Sequence, residues 1–240
     1  AIVALGAVAQ GLKAGFTSMS QGSQADLVLM QSGALSAIIS SVDAAVVEQV
    51  AAWPEASEVD GVLFGNAILD GASYLFLFGH DPEGFSMAQY RIVAGRDLTD
   101  VRGVRGKPLL LGKQAAQNLD KQVGDVLRMT GAAFRIVGIY ETGSAFQDSG
   151  AVLPLKDAQT LMLQPRSVSM LYIKLRSPSD ADRLRGRVER HLPDMNLSTT
   201  SGLADQEQMS QILEGMAMGI AGIAVIIGGI GMTNTLFMSV

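Results

Sequence analysis

The last 25 residues, 216–240, carry no charged side chain: MAMGIAGIAVIIGGIGMTNTLFMSV. As a helix rising about 1.5 Å per residue, this run spans roughly 38 Å, more than the roughly 30 Å of a bilayer core. Its polar side chains, Thr233, Asn234, Thr235 and Ser239, all fall near the end. A helix buried in a soluble core is usually shorter and shows a polar face, so the run predicts a membrane span. Gly215, Gly219, Gly222, Gly228, Gly229 and Gly231 would each weaken a helix in water. In lipid, small residues let helices approach closely. Gly215 and Gly219 form a GxxxG pair, and Ala224 and Gly228 repeat the spacing, so these four are the candidate helix-packing residues.

Every Lys, Arg, Asp and Glu lies between Lys13 and Glu214, so the middle of the chain carries the whole net charge of −5. That balance argues against a nucleic-acid surface, which needs clustered Lys and Arg. The chain has no cysteine, which excludes disulfides, thiolate metal sites and a cysteine nucleophile. Residues 1–12, AIVALGAVAQGL, are apolar but for Gln10. They are too short to span and lack a basic flank, and so read as the end of a span that begins earlier rather than as a signal peptide. The expected organisation is the end of a first transmembrane helix at 1–15, a domain of ordinary soluble composition, and a stalk and second span at 206–240. The stalk is expected to be one nearly continuous helix, since no Pro occurs after Asp194 and Met209, Ile212, Leu213 and Met216 share a face.

Within the domain, residues 26–31 read as a buried strand, 41–53 as a helix closed by Pro54, and 59–64 as a second strand. Residues 67–70 and 74–78 flank Asp70-Gly71, a hairpin signal. Residues 79–89 read as loop, 90–93 as a short strand broken by Gly95-Arg96-Asp97, 107–111 as strand, and 113–120 as a helix with Ala115, Ala116 and Leu119 inward. A second hairpin joins 126–130 to 134–140 through Gly131-Ala132. A strand follows at 151–155 and a helix at 156–163. Residues 168–176 alternate, with Leu171, Ile173 and Leu175 on one face. Residues 179–191 form an amphipathic helix with Ser179 as N-cap and Ala181, Leu184 and Val188 as its stripe, and 195–199 a last strand. Two strand–helix–strand units thus bracket a hairpin-rich centre. This predicts an α+β fold, a split ferredoxin-like lobe at 26–64 and 166–203, with an inserted strand-rich lobe at 65–165.

Little in the chain promises chemistry. His80 and His191 read as surface or capping residues. Neither residues 103–108 (GVRGKP) nor 112–114 (GKQ) has the spacing or the hydroxyl of a phosphate loop. No GxSxG elbow occurs. Arg183, Arg185, Arg187 and Arg190 share a helix with Asp180, Asp182 and Glu189, and read as a salt-bridged solvated face, with an acidic-partner surface as the alternative. No catalytic, cofactor or metal residue is assigned.

The ordered pieces resemble the permease subunits of MacB-like ABC transporters, with their periplasmic core domain and FtsX-like permease region. The resemblance rests on Asp26-Leu27-Val28-Leu29, Gly79-His80-Asp81-Pro82 before Gly95-Arg96-Asp97-Leu98, and Leu109-Leu110-Leu111-Gly112. It continues through residues 123–129 (VGDVLRM) into 134–141 (FRIVGIYE), then Val152-Leu153-Pro154-Leu155 and the 228–236 segment GGIGMTNTL. It implies a chain in the bacterial inner membrane with a periplasmic domain, paired with a second permease copy and an ATP-binding subunit. ATP and Mg would sit on that subunit, with no cofactor on this chain. It implies transmission of ATP-driven motion to export or extract antibiotics, peptides or lipoproteins, in some members with a periplasmic adaptor and an outer-membrane duct. A membrane-anchored extracytoplasmic sensor or binding domain is the competing expectation.

Overall fold

The computed structural model describes residues 22–34, 39–70 and 73–200. In chain order these form β1 (Leu27–Gln31), β2 (Val42–Asp43), α1 (Ala44–Ala51), β3 (Ala56–Ile68), β4 (Tyr74–His80), a 3-10 turn (Phe85–Gln89), β5 (Arg91–Gly95), β6 (Lys107–Gly112) and α2 (Lys113–Leu119). There follow β7 (Val126–Met129), β8 (Ala132–Glu141), α3 (Ala145–Asp148), β9 (Gly150–Pro154), α4 (Leu155–Leu161), β10 (Ser167–Val168), β11 (Met170–Leu175), a second 3-10 turn (Pro178–Asp180), α5 (Ala181–His191) and β12 (Met195–Thr199). The expected spans at 1–15 and 206–240, and the packing residues Gly215, Gly219, Ala224 and Gly228, lie outside the described residues. Among the described residues no helix is long and apolar enough to cross a membrane.

The architecture is α+β, built on one large mixed sheet in the order β12-β1-β11-β3-β4-β9-β6-β8-β5, with β7 also paired to β8. Its pairings are antiparallel except for β4-β9 and β6-β8, which are parallel. β3 organises the rest. Its first half pairs with β11 from Ala56 to Val62, and its second half with β4 from Leu63 to Ile68. The boundary that sequence suggests at Gly65 therefore falls inside one continuous strand.

Beyond Val62 the sheet curls back on itself. Leu69 bridges Met129, the Thr130 amide donates to the Ile68 carbonyl at 2.9 Å, and the Asp70 amide to the Arg128 carbonyl at 3.3 Å. These contacts close β3, β4, β9, β6, β8 and β7 into a small barrel, which leaves fewer open edges for unwanted pairing. The interior is filled by Leu63, Leu77, Leu109, Leu111, Phe134, Ile136 and Leu153, all at most 1% exposed. On the other half, Leu27, Leu29, Val50, Leu171, Ile173, Leu184 and Val188 form a second core beneath α1 and α5.

A third core belongs to both halves. Val28, Met30, Val62 and Tyr172 meet Phe78, Leu110, Tyr140 and Val152 there, covered by Met87, Tyr90 and Leu98 from residues 81–104. That segment is a strap across the back of the sheet. β1 and β11 are covered on both faces, which is why residues 27–30 are an unbroken apolar run and why Tyr172 is buried although it alternates with Leu171 and Ile173.

Several local expectations are corrected. The helix expected from Ser41 begins at Ala44, because Val42 pairs with Val168 and Asp43 caps the helix, accepting from the Ala45 amide at 2.8 Å. Ser179 does not cap α5; its hydroxyl bonds that of Ser177, and Asp180 is the cap residue. The β7–β8 turn is Thr130-Gly131, both at positive φ (49° and 77°), rather than Gly131-Ala132. Two central residues at positive φ suit the twist of a tight hairpin. Gly79 and His80 finish β4, and residues 85–89 form a 3-10 turn rather than loop. The strand expected at 168–176 is interrupted at Ser169, whose hydroxyl accepts from the Phe64 amide at 2.9 Å.

Candidate functional site

The strap is pinned by buried polar groups. Phe76, Phe78 and His80 alternate on one face of β4, which carries His80 inward to 1% exposure, not to a surface. Its Nδ1 lies 3.0 Å from Ser86 Oγ and its Nε2 2.9 Å from Tyr90 Oη. The Tyr90 ring meets Tyr140 edge-on at 4.9 Å, and Tyr140 Oη donates to the Gln147 carbonyl at 2.6 Å. Gln147 Nε2 donates to Gln89 Oε1 and Gln89 Nε2 to the Ser86 carbonyl, both at 2.9 Å, which closes the ring of contacts. Asp60 on β3 accepts from the Ser86 amide at 2.7 Å and fixes the start of the 3-10 turn.

This arrangement ties the strap to β3, β4 and β8. Burial pulls the His80 imidazole down to about 3, so it is neutral near pH 7. Both ring nitrogens are engaged, which leaves no lone pair for a substrate. Burial likewise pushes the Tyr90 and Tyr140 hydroxyls well above their ordinary value. Among the described residues no group of His, Asp or Glu is placed to hold a metal. The network was missed in the sequence, although the alternation Phe76, Phe78, His80 was there to be read.

A second polar contact ties the two helices of the other half. Arg187 on α5 donates from Nε (3.2 Å) and Nη2 (2.9 Å) to Glu55 Oε1, in the turn after α1. The guanidinium also lies 5.8 Å from the Trp53 ring. Burial pushes the Glu55 carboxyl up, but the Arg187 hydrogen bond and the attraction of Arg187 and Arg183 outweigh it and hold the group below its ordinary value. Arg187→Ala is expected to destabilise the domain by about 2–3 kcal/mol, because it strands a buried carboxylate. Glu55→Gln with Arg187→Met should recover most of that loss in denaturant melts. A recovery no better than additive would count against the pairing as the cause.

Two further arginines of α5 pair locally, Arg183 with Asp180 and Arg185 with Asp182. The His191 ring lies tilted beside Trp53, with ring centroids 6.3 Å apart. The two phosphate-loop look-alikes lie in the β5–β6 connection and at the start of α2, where Lys113 pairs with Glu141.

The model of the MacB-like periplasmic core domain matches residues 1–191. An uncharacterized ABC transporter permease of Methanocaldococcus jannaschii is 22% identical over 142 residues, covering 55% of this chain and 36% of that protein. The chain thus spans about a third of the length of that curated relative. The periplasmic region of MacB from Actinobacillus actinomycetemcomitans superposes with a TM-score of 0.61 at 12% identity, over 78% of this chain and 95% of that one. The extracellular domain of the ABC-type transporter YknZ from Gram-positive bacteria gives 0.54 at 16% identity, over 73% and 99%. At these identities the structural likeness is one of fold. The match over residues 1–191 settles the family: this chain belongs to the MacB-like periplasmic core domain family.

Proposed function

We propose that this chain is the extracytoplasmic part of an ABC transporter permease in a bacterial inner membrane, and that it relays motion driven by ATP hydrolysis on a separate subunit. The observation that carries this reading is the shared core. β3 runs unbroken through both halves, and Val28, Val62 and Tyr172 pack in one cluster with Phe78, Leu110 and Tyr140. A body with a common core passes on displacement, where a hinge between separate cores would absorb it.

Residues 26–64 and 166–203 are assigned to a membrane-proximal lobe and 65–165 to an inserted one. The order β12-β1-β11-β3, antiparallel throughout, supports a split ferredoxin-like description of the first lobe. The apolar runs at both ends of the chain form spans in this account, with Gly215, Gly219, Ala224 and Gly228 on a helix-packing face. The remaining partners are a second permease copy and, where present, a periplasmic adaptor and outer-membrane duct. Antibiotics, peptides or lipoproteins are the substrate classes. ATP and Mg bind the partner subunit, and no cofactor binds this chain.

The test uses the full-length protein purified from its host's membranes. An ATP-hydrolysing subunit is expected to copurify; its absence would sink the permease assignment. Gln211→Pro breaks a helix at a cost of about 3 kcal/mol. It is expected to abolish export while ATP hydrolysis continues, and unchanged export would overturn the relay.

A further inference from the structure

The cations of this domain are unevenly placed. Seven ion pairs engage Arg91, Lys107, Lys113, Lys174, Arg183, Arg185 and Arg187 with carboxylates. Among the described cations outside these pairs, Arg105, Arg128 and Arg135 come together on the outside of the barrel. In the β7–β8 register Val126 faces Arg135 and Arg128 faces Ala133, which makes Arg128 and Arg135 diagonal neighbours on one face. Arg135 is held in place, donating from Nε to the Arg105 carbonyl at 3.0 Å and from Nη1 to the Gly124 carbonyl at 2.7 Å. The same contact brings the 101–106 loop onto the strands. That loop repeats Val-Arg-Gly twice. Val101 and Val104 pack against the shared core, while Arg102 and Arg105 are exposed.

Two nearby acids bond amides of their own turns. Asp125 accepts from the Gln122 amide and Asp97 from the Leu98 amide, each within its own turn. Asp70 reaches Arg128 only through its backbone amide. Between the arginines, Val123 and Val126 are 40% and 41% exposed. Arginines gathered on one face of a chain of net charge −5, with apolar side chains among them, call for an occupant that brings carboxylates.

We propose that Arg105, Arg128 and Arg135, with Val123 and Val126, form a docking surface for an acidic segment of a partner protein. Arginine is enriched at protein interfaces, and its fork matches a carboxylate with two hydrogen bonds. A bilayer surface is the less suitable occupant, because membrane-binding faces carry Trp, Phe or Leu for insertion, and this face offers valines. The proposal deepens the transporter reading by naming the chemistry of one partner, and its test needs no ATPase subunit.

The probe is a labelled peptide of alternating glutamate and leucine, titrated against the detergent-solubilised full chain. R105A/R128A/R135A is expected to weaken binding at least about tenfold, and R183A/R185A/R190A, which removes the same charge from α5, less than about twofold. R105A/R128A leaves the Arg135 hydrogen bonds intact and should still lose about fivefold, which separates docking from misfolding. Equal losses in the two triple variants would overturn the proposal as general charge attraction. So would chain binding to phosphatidylglycerol vesicles that R105A/R128A/R135A abolishes, with no peptide binding, which assigns the face to lipid. A copurifying ATPase beside a peptide that does not bind would reject the docking surface and leave the permease assignment standing.

Discussion

Between pH 7 and pH 4 the domain is expected to lose about 3 kcal/mol of folding stability through His80 alone. The folded imidazole sits near 3, against an ordinary value of 6.5. Over that interval the unfolded chain binds a proton that the folded one refuses. The contribution is therefore fully present above pH 6.5 and is lost as pH falls toward 3. Glu55, held below its ordinary value, adds a loss in the same direction at the acid end of the range. Asp60 acts oppositely: burial raises its carboxyl, the amide and hydroxyl of Ser86 draw it back, and a net upward shift remains, so protonating it favours the fold. Its share should be the smaller, since it stays partly exposed. Urea midpoints at pH 7, 6, 5 and 4 read the sum. His80→Gln keeps hydrogen bonding but cannot titrate, so its stability should be lower at pH 7 yet nearly flat to pH 5. A wild-type curve equally flat over that range would show that the imidazole is not buried as described.

Gly95→Ala is expected to cost about 3 kcal/mol, and Gly103→Ala about 1 kcal/mol. Both glycines sit at φ +79°, so both substitutions strain the backbone. At Gly103 the added carbon meets nothing within 4 Å, whereas at Gly95 it would lie 2.3 Å from the Val137 carbonyl and 2.9 Å from Gly138 Cα. The difference between the two variants isolates the steric part. Gly95 ends β5 opposite Gly138, so the substitution should loosen the strap that covers the shared core. Thermal unfolding and amide exchange at residues 91–95 measure it. Equal destabilisation by the two variants would mean that the close approach of β5 to β8 has been misjudged.

Much of the local structure was legible in the sequence. Residues 113–120 announce a short helix with Ala115 and Ala116 inward, and both are buried. The Leu184 and Val188 stripe faces the core beneath α5. The hairpin of β7 and β8 is correctly placed to within one turn residue. These features follow from side-chain periodicity and turn residues acting over a few positions. Corrections arose where a distant partner intervened: Val42 was drawn from helix to strand by Val168, and Ser169 broke a run of alternation by bonding the Phe64 amide.

Only the tertiary structure decided the rest. The arginine-rich helix is mostly paired, while Arg105, Arg128 and Arg135 come together from β7, β8 and the loop after β5, separate stretches of sequence. His80 is inside because residues 81–104 fold over it, and Arg187 finds Glu55 across 132 residues. The amino-acid sequence by itself determined most of the strands and helices, and the apolar faces they must hide. Which hidden face meets which depends on strand order and on barrel closure through Leu69 and Met129, and those pairings join residues too far apart in the chain for any local pattern to encode.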